Sequence, residues 1–140
     1  MSAANFRNIA VIGAGTMGSG IAAQIANAGH NVLLLDLGAK SAGEKTPAES
    51  AIDRLLASDP PQLMSKKNVA RITTGVIDDD FDKLADCDWI IEAVVERLDI
   101  KKALYHRLDA VIGADCIVSS NTSTIPIKLL VEDMPSAFRQ

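Results

Sequence analysis

Short apolar runs alternate along this chain with stretches whose apolar positions recur every three or four residues. The first run, Ile9-Ala10-Val11-Ile12, is too short for a helix and stops at Gly13, which predicts a buried strand. Residues 16–28 carry small and apolar side chains at helical spacing and end at Gly29-His30. A second apolar run over 32–35 closes on Asp36. Thr46-Pro47-Ala48-Glu49 reads as a helix start. Thr46 can cap, Pro47 suits the first helical position, and Glu49 sits where a reciprocal cap belongs. Ile52, Leu55 and Leu56 give that helix its apolar stripe, and Asp59-Pro60-Pro61 ends it. A short helical piece is expected over 62–67.

Further runs predict three more strands. They lie over 69–74, stopped by Gly75; over 89–91, entered through Asp86-Cys87-Asp88; and over 116–118. Leu104, Leu108, Val111 and Ile112 share one helical face, predicting an amphipathic helix over 98–112. Pro126 falls in the first turn of a last helix that runs through Leu130. Strands alternating with helices imply an α/β fold: a Rossmann-type, doubly wound, mainly parallel sheet covered by helices. The region 38–68 is longer than a plain crossover and reads as a helical insertion after the second strand.

The turn between the first strand and helix is Gly13-Ala14-Gly15-Thr16-Met17-Gly18. Alone, such a glycine sextet is weak. Here strand, glycine loop, helix, strand and terminal acid occupy one unit of about 30 residues, which is a strong dinucleotide-binding signal. Gly13 lets the chain turn sharply, Gly15 lets backbone approach a pyrophosphate, and Gly18 lets helix and strand pack closely. Free N–H groups and the helix dipole at Thr16 and Met17 favour phosphate. Asp36, roughly 20 residues on, suits the adenosine ribose hydroxyls. A 2′-phosphate would meet its carboxylate, and no Arg directly follows, so NAD is expected over NADP.

Composition narrows the classes of function. The chain has 140 residues, enough for one domain with a real core, and a net charge of −4. No basic stripe offers itself to nucleic acid or anionic lipid. No apolar run approaches the ~20 residues of a membrane span. The start, MSAANFRN, lacks the apolar segment of a signal peptide. A cytoplasmic location is expected. Cys87 and Cys116, each in a strand region without CxxC spacing, read as buried free thiols of a reducing compartment. Neither His30 nor His106 has ligand spacing, and Asp78-Asp79-Asp80 reads as a solvated acidic loop rather than a metal site.

Ligands of an open α/β sheet gather beyond the carboxyl ends of its strands. The glycine loop, residues 92–96 and residues 119–124 all fall there. By composition, Ser119-Ser120-Asn121-Thr122-Ser123-Thr124 serves equally well as a cap-and-turn segment or as a site.

Three segments together, GAGTMGSGIA from Gly13, IIEAVVERLDIKK from Ile90 and SSNTSTIPI from Ser119, resemble the 3-hydroxyacyl-CoA dehydrogenases. These are NAD-dependent enzymes of fatty-acid β-oxidation. The likeness spans nearly the whole chain in order. It implies that Glu96 and Lys101 contact the nicotinamide half of NAD, and that Asn121 lines the cofactor's ribose. It further implies that Ser123 is the active-site serine that bonds the substrate oxygen, without acting as a nucleophile. By the same likeness, residues 1–140 are an NAD-binding domain. The family's catalytic His segment and helical C-terminal domain, which supplies acyl-CoA contacts and a homodimer interface, would follow Gln140. Met1 with its short polar lead reads as a natural start. Such a chain is expected to bind NAD(H) with negligible turnover. The alternatives are a non-catalytic NAD(H)-binding or redox-sensing module, or another 3-hydroxyacid dehydrogenase of the wider superfamily. An FAD enzyme fits less well.

Overall fold

The computed structural model describes residues 5–139; Met1 and Gln140, the two ends discussed above, lie outside them. Among the described residues, strands β1 (Ile9–Ile12), β2 (Val32–Asp36), β3 (Ile72–Val76), β4 (Trp89–Glu92) and β5 (Ile117–Ser120) form one sheet in the order β3-β2-β1-β4-β5. Every pairing is parallel. The chain winds outward from β1 to β3, then crosses back to β4. The winding therefore reverses between β1 and β4, and the strand ends open a crevice there. The expected doubly wound α/β fold is the one that forms.

Alternation along β1 assigns its side chains to two cores. Ile9 and Val11 join Val32, Leu34 and Ile91 against Ala22, Ala23 and Ala26 of α1 (Thr16–Asn27) and Ala51 and Leu55 of α2 (Pro47–Ala57). Ala10 and Ile12 face the other way, with Leu35, Ile90, and Leu104, Tyr105 and Leu108 of α4 (Leu98–Asp109). Burial of each large aliphatic side chain here stabilises by about 1.5–3 kcal/mol. The α1 face is mostly alanine, so that helix lies close on the sheet. Its end is marked by Gly29 at φ +90°. The Arg71 guanidinium bonds the Ala26 carbonyl at 3.3 Å, a cation at the negative end of the helix.

The insertion forms as a capped helix clipped to α1. Thr46 Oγ1 accepts from the Glu49 amide at 3.2 Å, and the Glu49 carboxylate accepts from the Thr46 amide at 2.8 Å. The Asn27 side chain donates to the Gln62 carbonyl (2.9 Å) and accepts from the Met64 amide (2.9 Å) and the Asn68 side chain (3.1 Å).

Several boundaries differ from the sequence reading. The short helical piece lies at Lys66–Arg71 as a 3-10 turn, which takes Val69 and delays β3 to Ile72. Gly75 lies inside β3 rather than stopping it. A Cβ there would come within 2.7 Å of Leu35 Cδ2 and of Asp80 Oδ2, so those two side-chain tips would have to shift to admit one. Asp78-Asp79-Asp80 form a helical turn, α3 (Ile77–Asp80), rather than a loop. Separate partners relieve their repulsion: Arg107 bonds Asp78 at 3.1 Å, while the Val76 amide (2.9 Å) and Lys83 (2.8 Å) meet Asp80. Helix α4 stops at Asp109, three residues early, though Val111 and Ile112 still pack on its core. Strand β5 starts at Ile117 and takes in Ser119 and Ser120, with α5 (Ile127–Leu130) following. Cys87 and Cys116 are free but only half-buried, each just ahead of its strand. Burial pushes the Cys87 thiol up to about 11.

Candidate functional site

Each glycine of the first loop meets a different steric demand. Gly13 takes φ +110°, and a Cβ on it would lie 2.3 Å from the Ala93 carbonyl oxygen. A Cβ on Gly18 would lie 1.7 Å from the Gly13 carbonyl oxygen. Those two positions hold β1, α1 and the end of β4 together. Gly15 is the opposite case: nothing lies within 4 Å of where its Cβ would be. It is the N-cap of α1, and no side chain bonds the helix's first amides. An exposed, uncapped helix start with open space over its glycine is a cradle for an anion. Thr16 and Met17 are exposed at the same turn. From them an apolar cavity of about 680 Å³ runs along α1 past Gly20 and Ile21 to Trp89.

The end of β2 is tied to this loop. Asp36 Oδ2 accepts from the Ala14 amide at 2.6 Å and Oδ1 from the Leu37 amide at 2.7 Å. Arg54 of α2 holds the next peptide of the loop, donating to the Ala14 carbonyl at 2.8 Å. These features fit the dinucleotide expected from the sequence: backbone for diphosphate, then a carboxylate at the second strand's end for ribose hydroxyls.

Across β1, the ends of β4 and β5 come together around one carboxylate. Glu92 is fully buried. Its Oε2 accepts from Lys101 Nζ (2.6 Å) and the Val94 amide (2.9 Å). Its Oε1 accepts from the Tyr105 hydroxyl (2.7 Å) and Ser120 Oγ (2.8 Å). Burial holds the Tyr105 phenol well above its ordinary range, so it remains a donor. The Glu92 carbonyl accepts from the Asn121 amide at 2.8 Å.

Glu96 lies on the open side of this knot. It accepts from the Thr122 hydroxyl, and from Thr124 Oγ1 at 3.1 Å, and its carboxylate is 3.6 Å from Lys101. The Thr122 hydroxyl, helped by Thr124 and Lys101, holds the Glu96 carboxyl below its ordinary value. Asn121 and Ser123 are exposed on the loop so held.

Residues 8–139 match the family model described as the NAD binding domain of 3-hydroxyacyl-CoA dehydrogenase. The chain belongs to that family. A Deinococcus radiodurans protein described as a probable 3-hydroxyacyl-CoA dehydrogenase is 39% identical over 96% of this chain and 39% of its own length. A Mesorhizobium japonicum protein, 5-formyl-3-hydroxy-2-methylpyridine 4-carboxylate 5-dehydrogenase, is 37% identical over 89% of this chain and 39% of its own length. The crystal structure of 3-hydroxybutyryl-CoA dehydrogenase from Escherichia coli K12 superposes with a TM-score of 0.76 at 35% identity, covering 95% of this chain and 28% of that one. The chain thus spans well under half the length of these relatives.

Within this NAD-binding domain, the sequence-predicted residues fall into two groups. Gly13, Gly15, Thr16, Met17, Gly18 and Asp36 gather at the ends of β1 and β2. Glu96, Lys101, Asn121 and Ser123 gather at the ends of β4 and β5. Lys101 differs from a simple contact residue, because its side chain is only 1% exposed and its ammonium faces Glu92, Glu96 and the Val94 carbonyl. The residues that hold the groups in place are Arg54 and Tyr105, which sequence reasoning passed over, and Glu92, Ser120, Thr122 and Thr124, which it placed in site segments without giving them a role. Glu92 had a readable signal, an acid directly ending an apolar strand with a lysine nine positions later.

Proposed function

We propose that this domain is the NAD(H) site of a 3-hydroxyacyl-CoA dehydrogenase, which oxidises (S)-3-hydroxyacyl-CoA to 3-oxoacyl-CoA in fatty-acid β-oxidation. The observation that carries this is the pairing of an open, uncapped Gly15 turn and Asp36 on one side with Glu96 and the Asn121–Ser123 loop on the other, at one end of the sheet. The α1 amides hold the diphosphate and Asp36 the adenosine ribose. Glu96, backed by Lys101, and Asn121 hold the nicotinamide half. Ser123 donates to the substrate oxygen. NAD, when bound, supplies the hydride acceptor.

The hydroxyl proton needs a base poised near neutral pH, usually histidine. His30 opens the chain into β2, at the strand ends opposite the site, and His106 is exposed in the second half of α4. Neither fills that role. We assign the base, the acyl-CoA walls and a homodimer interface to sequence beyond residue 140. These 140 residues alone then turn over negligibly, since a general base is worth roughly 10²–10⁴ in rate. The two free thiols suit a reducing, cytoplasmic setting.

The pyridine-carboxylate dehydrogenase relative, named for a 5-formyl substrate, supports a second reading, in which the same cofactor domain serves a small aromatic aldehyde that carries no CoA. Calorimetric titration with NADH and NADPH tests the cofactor. Saturable NADH binding with clear rejection of NADPH is expected, and binding of neither overturns the assignment. Turnover of a longer protein containing this domain, with 3-hydroxybutyryl-CoA against small aromatic aldehydes, then decides between the substrate readings. There Ser123→Ala is expected to lower turnover far more than NADH affinity. Unchanged activity would move the active site elsewhere.

A further inference from the structure

We infer that Glu92 is a positioning residue for the nicotinamide half of the cofactor site, acting through Lys101 and Glu96. This rests on the cofactor reading given above. Glu92 touches no ligand position itself. It sits beneath the site at 0% exposure, and its two oxygens take four donors from three elements: the turn after β4, helix α4 and strand β5. A buried carboxylate needs both a counter-charge and full hydrogen bonding. Lys101, itself 1% exposed, supplies the charge at 2.6 Å.

Lys101 has a second carboxylate within reach, Glu96 at 3.6 Å. Glu96 is at the same time the acceptor for the hydroxyls of Thr122 and Thr124. The three charges therefore form a divided arrangement. Glu92 takes most of the ammonium, which leaves Glu96 free to fasten the loop that carries Asn121 and Ser123. Remove the charge on Glu92, and Glu96 is the carboxylate left within reach of the buried ammonium, beside the neutral Val94 carbonyl. Glu96 is then drawn inward and releases Thr122 and Thr124.

The adenosine half has separate supports. Asp36 is held by the Ala14 and Leu37 amides, and Arg54 holds the Ala14 carbonyl. None of these bonds involves Glu92 or Lys101. Loss of Glu92 is thus expected to divide the cofactor's affinity into two parts, one lost and one kept.

The test compares NADH with ADP, which carries the adenosine and diphosphate but neither the nicotinamide nor its ribose. Both are titrated by calorimetry into the whole 140-residue chain and into Glu92→Gln, with thermal melts recorded alongside. The expected result is at least a ten-fold loss of NADH affinity, with ADP affinity held within about two-fold. Should Glu92→Gln fail to fold, Glu92→Asp keeps a carboxylate but shortens it by one methylene, which breaks the 2.6 Å contact with Lys101 and lets the ammonium shift toward Glu96. It is expected to show the same division at about five-fold. An equal loss for both ligands, or no loss for either, would overturn the positioning role. Failure of the unsubstituted chain to bind either ligand would instead overturn the cofactor reading, and the inference with it.

Discussion

The carboxylate of Asp36 accepts the amide of Ala14 at 2.6 Å, so the end of the second strand is fastened to the glycine loop before any ligand arrives. The same carboxylate holds the Leu37 amide. One acid thereby does two things. It fixes the glycine loop, and in the proposed cofactor site it presents negative charge where a 2′-phosphate would lie. Asp36→Ala is expected to weaken NADH about 10- to 100-fold, in line with about 1.5–3 kcal/mol for hydrogen bonds to a charged group. NADPH should weaken much less, so the preference narrows. Paired titrations check this; an unchanged NADH to NADPH ratio would remove Asp36 from the specificity argument.

Gly15 and Gly18 look alike in the sequence but sit in opposite environments. Gly18→Ala would place a methyl 1.7 Å from the Gly13 carbonyl oxygen, and backbone has little room to give. Overpacking of this kind costs about 1–3 kcal/mol or more, so the variant should melt well below the native chain or fail to fold. Gly15→Ala meets nothing within 4 Å, and Gly15 is not among the positive-φ glycines. Its melting point should stay near native while NADH affinity falls at least ten-fold, because the methyl occupies the phosphate's approach. Thermal melts and titrations of both variants separate packing from ligand contact. A Gly15→Ala chain that binds normally would deny the cradle.

How much of this was legible beforehand depended on range. The capping box at Thr46 and Glu49, the strand at Ile9–Ile12 and the acid at Asp36 are local, and the sequence pattern places each correctly. The doubly wound sheet follows from alternation alone. Errors arose where long-range contact decides. Gly75 reads as a stop, yet it lies within β3 because the strand stays paired with β2 through Leu35 and Asp36, opposite Gly75 and Val76. The acids at 78–80 read as a solvated loop; Asp78 and Asp79 are exposed as read, yet the segment turns as a helix, and Arg107, 29 residues away, bonds Asp78. Lys101 was readable as a site residue by resemblance. Its burial against Glu92 was not, since nothing in spacing tells which way a helical lysine turns.

Acid should destabilise this domain through carboxylates whose folded pKa is depressed. Hydrogen bonds from Lys83 and the Val76 amide lower Asp80, the amides of Asn8 and Arg7 lower Asp88, and Thr122 lowers Glu96. A depressed carboxyl contributes its stability above its unfolded value, about 4. That contribution is lost as pH falls through the folded value. The melting point should hold from neutral pH to about 5 and then decline. Asp80→Asn should melt lower than the native chain at pH 7, with the gap closing as pH falls. A gap that stays constant down to about pH 2 would show that the Asp80 charge contributes nothing.

Cys87 tests the opposite sign at the alkaline end. Burial beside Cys116 and Asp88 pushes its thiol up to about 11 from an ordinary 9.0. The folded state therefore prefers the neutral thiol. Its contribution is complete below the unfolded value and is lost as pH rises through the folded one. Because the thiolate is the reactive form, alkylation by iodoacetamide should be slow at pH 8 and should climb toward pH 11. Unfolding in denaturant should shift that rise down by about two pH units. Peptide mapping after timed alkylation resolves Cys87 from Cys116, whose thiol burial also raises. Labelling of Cys87 in the folded chain at the rate of free cysteine at pH 8 would mean that the start of β4 opens, and that the two thiols are surface groups.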